Sequence, residues 1–297
     1  LARLFKHRPD ENLDEVLTSL MQKHYVRVAG YAVIDNYKIS ETNTIEGRSV
    51  IDLNSIFQAC SLSKSLTAYA VLDLVAQNKI ALDTPINSQL KSWKVQDGGH
   101  ADLVTVRNCL NMTSGLCFGE PGTSFEGYMQ YAEIPQVGDI LRGEKPATNP
   151  PVKITYEPGS RYYYSGASYM VLQQLLEDIT GQSFVAYMNH VIFPKLGMTN
   201  STFECPLNAK HRKIAIAGFG GDKKQLEGGW HHIVGSASGG LWSCPLDMAK
   251  FMVCISNIYT GKVNDGMGSL LAKEMLSEYP NTDFGLGFIV DGSGDVL

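Results

Sequence analysis

Phe57-Gln58-Ala59-Cys60-Ser61-Leu62-Ser63-Lys64-Ser65-Leu66-Thr67-Ala68 is the stretch from which the rest of the chain is best read. It sets a hydroxyl and an amine three residues apart where the sequence turns helical. Leu62, Leu66, Tyr69, Leu72 and Val75 recur at helical spacing, to about Asn78. Positions i and i+3 share a helix face, so the Lys64 amine can reach the Ser61 hydroxyl. A serine is a poor nucleophile until a base takes its proton, and an amine held against it can do that. The positive end of a helix favours the developing alkoxide. A Ser-x-x-Lys spacing alone is a weak signal, because most such pairs are surface residues of helices.

Cys60 adjoins Ser61, but neighbours on a helix point in different directions, so it is expected to be incidental. All six cysteines (Cys60, Cys109, Cys117, Cys205, Cys244, Cys254) are scattered without zinc-site spacing, and several lie among apolar residues as small buried hydrophobes do.

A second chemical element is Tyr164-Ser165-Gly166, inside the run Glu157-Pro158-Gly159-Ser160-Arg161-Tyr162-Tyr163-Tyr164-Ser165-Gly166-Ala167-Ser168-Tyr169. A tyrosine on a loop just before a helix can aim its phenol into a cleft and serve as base or proton relay. Equally, a tyrosine-rich edge can simply pack on a helical region.

Around these elements the chain reads as strands at both ends and helices between. Leu13 to His24 is an amphipathic helix. Val26 to Ile34, a turn at Asp35-Asn36, and Tyr37 to Ile39 make a hairpin. Val106 to Met112 is a short helix, and Phe118 to Pro158, rich in Gly and Pro, is expected to wrap the surface. Tyr169 to Ile179 is a helix stopped by Gly181, and Phe184 to Leu196 another. Pro245 to Ile258 is helical, and Phe284 to Val290 is expected as a strand ending at Asp291-Gly292. The pattern predicts an α+β fold, an antiparallel sheet flanked by helices. Residues 1–63 and 231–297 would form the sheet-containing region and 64–230 a mostly helical one, with a cleft between them.

Composition excludes several classes. A net charge of −5 leaves no basic footprint for nucleic acid, and no apolar stretch is long enough to span a bilayer. The first residue is Leu1, so a signal peptide would already be absent. His231 and His232, if in a strand, would point to opposite faces and would not jointly hold a metal. Glu157 and Asp178 look like cap or surface charges. Gly218 to Gly221 is followed by no convincing helix start, so a phosphate loop is not expected.

The Ser61 segment, followed by Leu72-Asp73-Leu74-Val75 and Leu82-Asp83-Thr84-Pro85-Ile86, resembles the penicillin-recognising serine hydrolases. These are the class C β-lactamases, D-Ala-D-Ala carboxypeptidases and related esterases. Leu110-Asn111-Met112-Thr113-Ser114-Gly115-Leu116, the Tyr164 segment, Phe193-Pro194-Lys195-Leu196-Gly197-Met198-Thr199 and Ala237-Ser238-Gly239-Gly240-Leu241-Trp242-Ser243 fit in order. Together they cover roughly residues 13 to 290.

The resemblance implies a β-lactamase/transpeptidase-like fold and a serine hydrolase with no metal or organic cofactor. Ser61 would be the acylated nucleophile, Lys64 the amine that eases its deprotonation and Tyr164 the proton shuttle. The Ser61 backbone N–H would be one oxyanion donor, and Gly166 and Gly239 would border the substrate. A β-lactam, a D-Ala peptide and an ester all need this acyl-transfer core, so the substrate is a small molecule or peptide not further specified. Oligomeric state is open. The family points to the cell envelope or periplasm, whereas the scattered cysteines favour a reducing space.

Two departures stand out. The second motif is commonly Tyr-x-Asn, and here the third position is Gly166, which puts efficient β-lactam turnover in doubt and shifts the expectation toward peptidase-like or esterase-like hydrolysis. The third motif, Lys-Thr-Gly or His-x-Gly on a strand, is not found after Gly240, and the sequence stops at Asp295-Val296-Leu297. Lys195-Leu196-Gly197 has the spelling but stands in the wrong region. The C-terminal strands are therefore expected to be missing by truncation, the other reading being a natural short form without activity. The rival to a hydrolase is a non-catalytic or single-turnover acyl-binding protein of the same fold.

Overall fold

In the computed structural model, which describes residues 12–46, 52–96, 99–122, 132–263, 266–280 and 282–290, the first element is helix α1, Leu13–His24. Asn12 caps it by accepting from the Asp14 and Glu15 N–H groups at 3.0 and 3.4 Å, and Tyr25 ends it in the left-handed region. Strands β1 (Val28–Asp35) and β2 (Lys38–Glu46) make the expected hairpin. Its turn is Asn36-Tyr37 rather than Asp35-Asn36. Both residues carry positive φ, 48° and 63°, as a two-residue turn matching the strand twist requires, and Asp35 pairs with Lys38 as the last rung.

Strand β3 (Phe57–Cys60) leads into α2 (Ser63–Ala76). The helix is where the spacing predicts it, but it is not amphipathic: every residue from Ser63 to Leu74 is buried, because α2 is the central rod of the molecule. Leu62 precedes the first turn and lies exposed, off the stripe assigned to it. Tyr69, Leu66 and Leu72 are fully enclosed, each such side chain contributing about 1.5–3 kcal/mol of hydrophobic stabilisation.

Next come α3 (Val106–Leu110), β4 (Leu116–Phe118), α4 (Val137–Arg142), β5 (Val152–Ile154) and α5 (Gly166–Thr180). The Gly/Pro-rich excursion wraps the surface only in part: Val137, Ile140 and Leu141 of α4 are buried, and α4 packs on α5. Helix α5 stops at Gly181 as expected, with φ of 68°. Helices α6 (Phe184–Tyr187) and α7 (Phe193–Leu196) are joined by a π turn over Met188–Ile192. Pro194, which cannot donate a backbone hydrogen bond, follows directly on that wide turn.

The chain is completed by α8 (Ala209–Arg212), α9 (Ser236–Gly239), β6 (Leu241–Ser243), α10 (Pro245–Tyr259) and α11 (Gly268–Met275). Helix α10 packs against β1 and β2, and at Gly30 a Cβ would come within 2.7 Å of the Pro245 ring.

Helices and antiparallel strand pairs give the α+β character that the pattern predicts, but among the described residues they form no single sheet. There are three two-stranded pairs, β1 with β2, β3 with β6 and β4 with β5. Phe284 to Val290 is a tight turn instead of a strand. Gly285 N–H bonds the Phe288 carbonyl at 2.9 Å, Val290 N–H bonds that of Asp283 at 2.9 Å, and Gly287 adopts φ of 88°. Phe284, Leu286, Phe288 and Val290 are nonetheless buried, as are Gly285 and Gly287 between them. The expected turn at Asp291-Gly292 and the chain end at Leu297 lie outside the described residues.

Lys195 is structural, as its place in the chain implies: its Nζ meets the buried Asp73 carboxylate at 2.5 Å and lies over the Tyr69 ring. Arg107 ties three elements together, bonding Asp83 through two nitrogens at 2.6 and 2.9 Å and Glu274 of α11 at 2.6 Å. The Arg107 hydrogen bond holds the Asp83 carboxyl below its ordinary range. A depressed carboxyl contributes stability that is complete above its unfolded value and is lost as pH falls through the folded one. Arg107→Leu should therefore flatten the loss of stability below about pH 4, read as urea midpoints across pH 3 to 6. A variant as acid-sensitive as the parent would refute the coupling.

Candidate active site

A strained strand end delivers Ser61. Cys60, the last residue of β3, has φ of 46°, in the left-handed region that non-glycine residues seldom occupy. The Ser63 hydroxyl holds it there, donating to the Cys60 carbonyl at 2.5 Å and accepting from the Leu241 N–H of β6 at 2.9 Å. Ser61 sits exposed in the turn between β3 and α2, and the Lys64 N–H bonds its carbonyl at 3.0 Å.

Lys64, the second residue of α2, is 4% exposed. Its Nζ lies 3.2 Å from the Ser61 Oγ and donates to the Ser238 carbonyl at 2.6 Å. The Tyr164 and Tyr169 ring centroids stand 4.8 and 5.7 Å from Nζ. The Ser238 carbonyl is itself fixed, because α9 is clamped between two helices. Thr67 of α2 donates to the Ala237 carbonyl at 3.0 Å, and Gln173 of α5 accepts the Ala237 N–H at 3.2 Å.

Tyr164 comes from the segment before α5. Met112 anchors that segment, its carbonyl accepting the Tyr163 N–H at 2.8 Å and its sulfur the Ser165 N–H at 3.4 Å. Ser165 then caps α5 by accepting the Ala167 N–H. Tyr164 meets Lys64 through its ring face, and among the described residues no hydrogen bond joins its phenol to Ser61 or Lys64.

These groups open on one cleft of about 400 Å³. Ser61, Lys64, Tyr164, Gly166 and Gly239, the five residues singled out in the sequence, all line it. Gly166 is the first residue of α5. A Cβ there would lie 3.5 Å from Phe118 and 3.8 Å from Ser238, ordinary contact distances, so the position has room for a side chain. At Gly239 a Cβ would approach Ile233 at 3.4 Å.

Sequence reasoning did not single out the Ser238 carbonyl, the Ser63 clamp, or the walls built by Phe118, Tyr163 and Ile233. A backbone acceptor has no residue-type signature, since every residue carries one.

Cys60 also lines the cleft, but burial pushes its thiol above the ordinary range and the Lys64 charge only partly offsets this, so it stays protonated at neutral pH. All six cysteines are free. His231 and His232 lie outside the cleft, in no assigned strand, and line a cavity of about 10 Å³ with Glu204, Trp230 and Trp242. Burial and then the Arg212 charge lower the His232 pKa, and among the described residues neither of its ring nitrogens has a partner. Asp178, read from the sequence as a cap or surface charge, instead ties a distant loop to α5, accepting the Lys91 and Ser92 N–H groups at 2.6 and 3.0 Å. Among the described residues there is no cluster of three or more His, Cys, Asp or Glu placed for a metal. Nor, among these same described residues, is any helix long and apolar enough to cross a membrane.

The chain is similar to several known proteins. Protein flp of Staphylococcus aureus (strain COL) is 21% identical over 215 residues, 69% of this chain and 40% of that protein. Esterase EstB of Burkholderia gladioli is 29% identical over 166 residues, 55% of this chain and 41% of that one. The chain thus matches about two-fifths of the length of these curated relatives. Among solved structures, a class C β-lactamase superposes with a TM-score of 0.70 at 18% identity, covering 93% of this chain and 72% of that one. An octameric penicillin-binding protein homologue from Pyrococcus abyssi gives 0.68 at 19% identity, covering 93% and 64%. These neighbours share the β-lactamase/transpeptidase-like fold. The family model Beta-lactamase matches residues 13–293, nearly the whole sequence, and the chain belongs to that family of serine hydrolases.

Proposed function

We propose that this chain is a serine acyl hydrolase in which Ser61 is acylated, Lys64 takes the Ser61 proton and Tyr164 passes it to the leaving group. The observation that carries the reading is Lys64: a buried amine 3.2 Å from an exposed serine hydroxyl, at the wall of an open cleft. Attack of Oγ on an acyl carbon forms the Ser61 ester and expels the leaving group, which takes up the proton. Water then hydrolyses the ester and the hydroxyl is restored. The Ser61 N–H supplies one oxyanion donor. No metal or organic cofactor enters the reaction. The cleft lies at the seam between the region formed by 1–63 with 231–297 and the region 64–230. Carboxylic esters, β-lactams and D-Ala peptides are the substrate classes compatible with this core.

Incubation with a fluorescent penicillin and with a p-nitrophenyl ester, followed by intact-mass and peptide mapping, tests the reading. An adduct on Ser61 that forms and decays is the expected result. An adduct elsewhere, or none, overturns it.

A second reading is a single-turnover or non-catalytic acyl binder. Gly166, with no amide to offer substrate, and the Tyr164 phenol unbonded to Ser61 or Lys64 favour it, and an adduct that persists would establish it. Because the Gly166 site has room for a Cβ, Gly166→Asn should fold with an unchanged or raised thermal midpoint. It should also raise the rate of acylation by penicillin about tenfold or more. Stopped-flow fluorescence measures this, and a rate unchanged or lowered would remove the glycine from the explanation.

A further inference from the structure

Two glutamines stand side by side on α5, Gln173 and Gln174, and each is 6% exposed. A buried amide must satisfy both an acceptor and its donors, so its partners show what it holds. Gln174 bonds within its own helix, its Nε2 donating to the Asp178 Oδ1 one turn on, at 3.1 Å. Gln173 makes the same kind of bond to Glu177, Nε2 to Oε1 at 3.3 Å. Its Oε1, however, leaves the helix and accepts the Ala237 N–H of α9 at 3.2 Å.

That receiving turn does not hold itself. Helix α9 is only Ser236–Gly239, far short of the length at which a helix persists by its own hydrogen bonds. Its Ala237 is fully enclosed and gripped from two sides: Gln173 of α5 takes the N–H, and the Thr67 hydroxyl of α2 donates to the carbonyl at 3.0 Å. The next carbonyl in the chain, that of Ser238, lies 2.6 Å from the Lys64 Nζ, closer than the Ser61 Oγ at 3.2 Å. A lysine amine rides on a flexible stem, so its place beside Ser61 is only as definite as its acceptor. Gln173 is braced in turn, because the Glu177 Oε1 also accepts the Phe184 N–H at 3.1 Å, where α6 begins.

We propose that Gln173 is a positioning residue of the acyl-transfer site: by holding Ala237 it sets the Ser238 carbonyl, and through that carbonyl the Lys64 amine. This rests on the Ser61–Lys64 reading above and adds to it a residue outside the sequence motifs. Gln174, equally buried one position along the same helix, has no such part.

The test compares the two glutamines. Gln173→Met and Gln174→Met each keep the length of the side chain and remove both polar atoms. Only Gln173→Met leaves the enclosed Ala237 N–H without its acceptor. Stopped-flow release of p-nitrophenolate from p-nitrophenyl acetate separates the limiting acylation rate from the apparent Kd of the ester, each variant being measured below its thermal midpoint. Gln173→Met should acylate about tenfold or more slowly, as expected of a displaced catalytic group. Its Kd should stay within about twofold, because neither Gln173 nor Ala237 lines the cleft. Gln174→Met should acylate within about twofold of the parent. In Gln173→Glu the new carboxyl and that of Glu177 share a proton, since two like charges so close do not both ionise. Acceptor and donor are then both kept, and at about pH 6 this variant should recover about half or more of the parental rate. Gln173→Met acylating at the parental rate, Gln174→Met slowing as much, or Gln173→Glu no faster than Gln173→Met each overturns the proposal while leaving the serine mechanism standing. Should Ser61→Ala release p-nitrophenolate at the parental rate, the mechanism itself fails and the proposal with it.

Discussion

Ser61→Ala is expected to abolish the acyl adduct and to lower p-nitrophenyl ester turnover by about a thousandfold or more, since a nucleophile and its base act as a unit. Lys64→Met should lower turnover to a similar extent while leaving the hydroxyl in place, so a slow adduct on Ser61 would still accumulate over long incubation. The distinction follows from geometry. Ser61 lies on a turn held by the Ser63 clamp and the Lys64 backbone N–H, so its position does not depend on the amine. Stability should be nearly unchanged in Ser61→Ala, because the residue is exposed. Intact mass, ester kinetics and thermal melting read the three quantities. Residual activity within tenfold of the parent in Ser61→Ala would assign the chemistry elsewhere.

The second large effect lies behind the site. Gly287→Ala is expected to destabilise the fold by about 3 kcal/mol, combining the cost of a left-handed alanine with overpacking. A Cβ at Gly287 would fall 2.4 Å from the Ala68 Cβ, 3.1 Å from the Lys64 carbonyl and 3.3 Å from the Tyr169 hydroxyl, at φ of +88°. The Gly287 carbonyl also accepts the Ser65 hydroxyl at 2.7 Å, so the turn cannot retreat without breaking that bond. Because Ser65 directly follows Lys64 on α2, strain here should also displace the amine. The variant should therefore lose ester turnover at temperatures where it is still folded. Urea denaturation gives the stability change, and a shift below about 1 kcal/mol would show that α2 and the turn can separate freely.

The Ser61–Lys64 pair was legible because it is local. Ser61 stands in the turn that opens α2, three residues before Lys64, so a single short turn of chain brings the two together. Tyr164 was legible from its place on a loop just before a helix, a local signal, whereas Gly166 was singled out only through the family resemblance, at the third position of Tyr-x-Asn. Where sequence reasoning erred, a through-space constraint had prevailed. Leu62 fits the apolar spacing of α2, yet it is exposed because the helix begins after it and is buried on every side. Phe284 to Val290 alternates as a strand should, yet Gly285 and Gly287 let it fold back on itself against α2. The Asn36-Tyr37 turn shifted by one residue because strand twist selects positive φ at both central positions, and Tyr37 is an unusual occupant.

The order of the motifs and the Ser61–Lys64 spacing were thus set by the chain alone, since the turn opening α2 joins two positions only three residues apart. Tertiary structure decided what surrounds that pair: the Ser238 carbonyl on Nζ, the clamp that holds Cys60 in a left-handed conformation, and the apolar walls built by Phe118 and Ile233. Each of these brings together segments far apart in sequence, and the acceptor on Nζ is a main-chain group that any residue type would supply. The chemistry proposed for Ser61 was therefore legible in the sequence, whereas the shape of the space around it was set by packing.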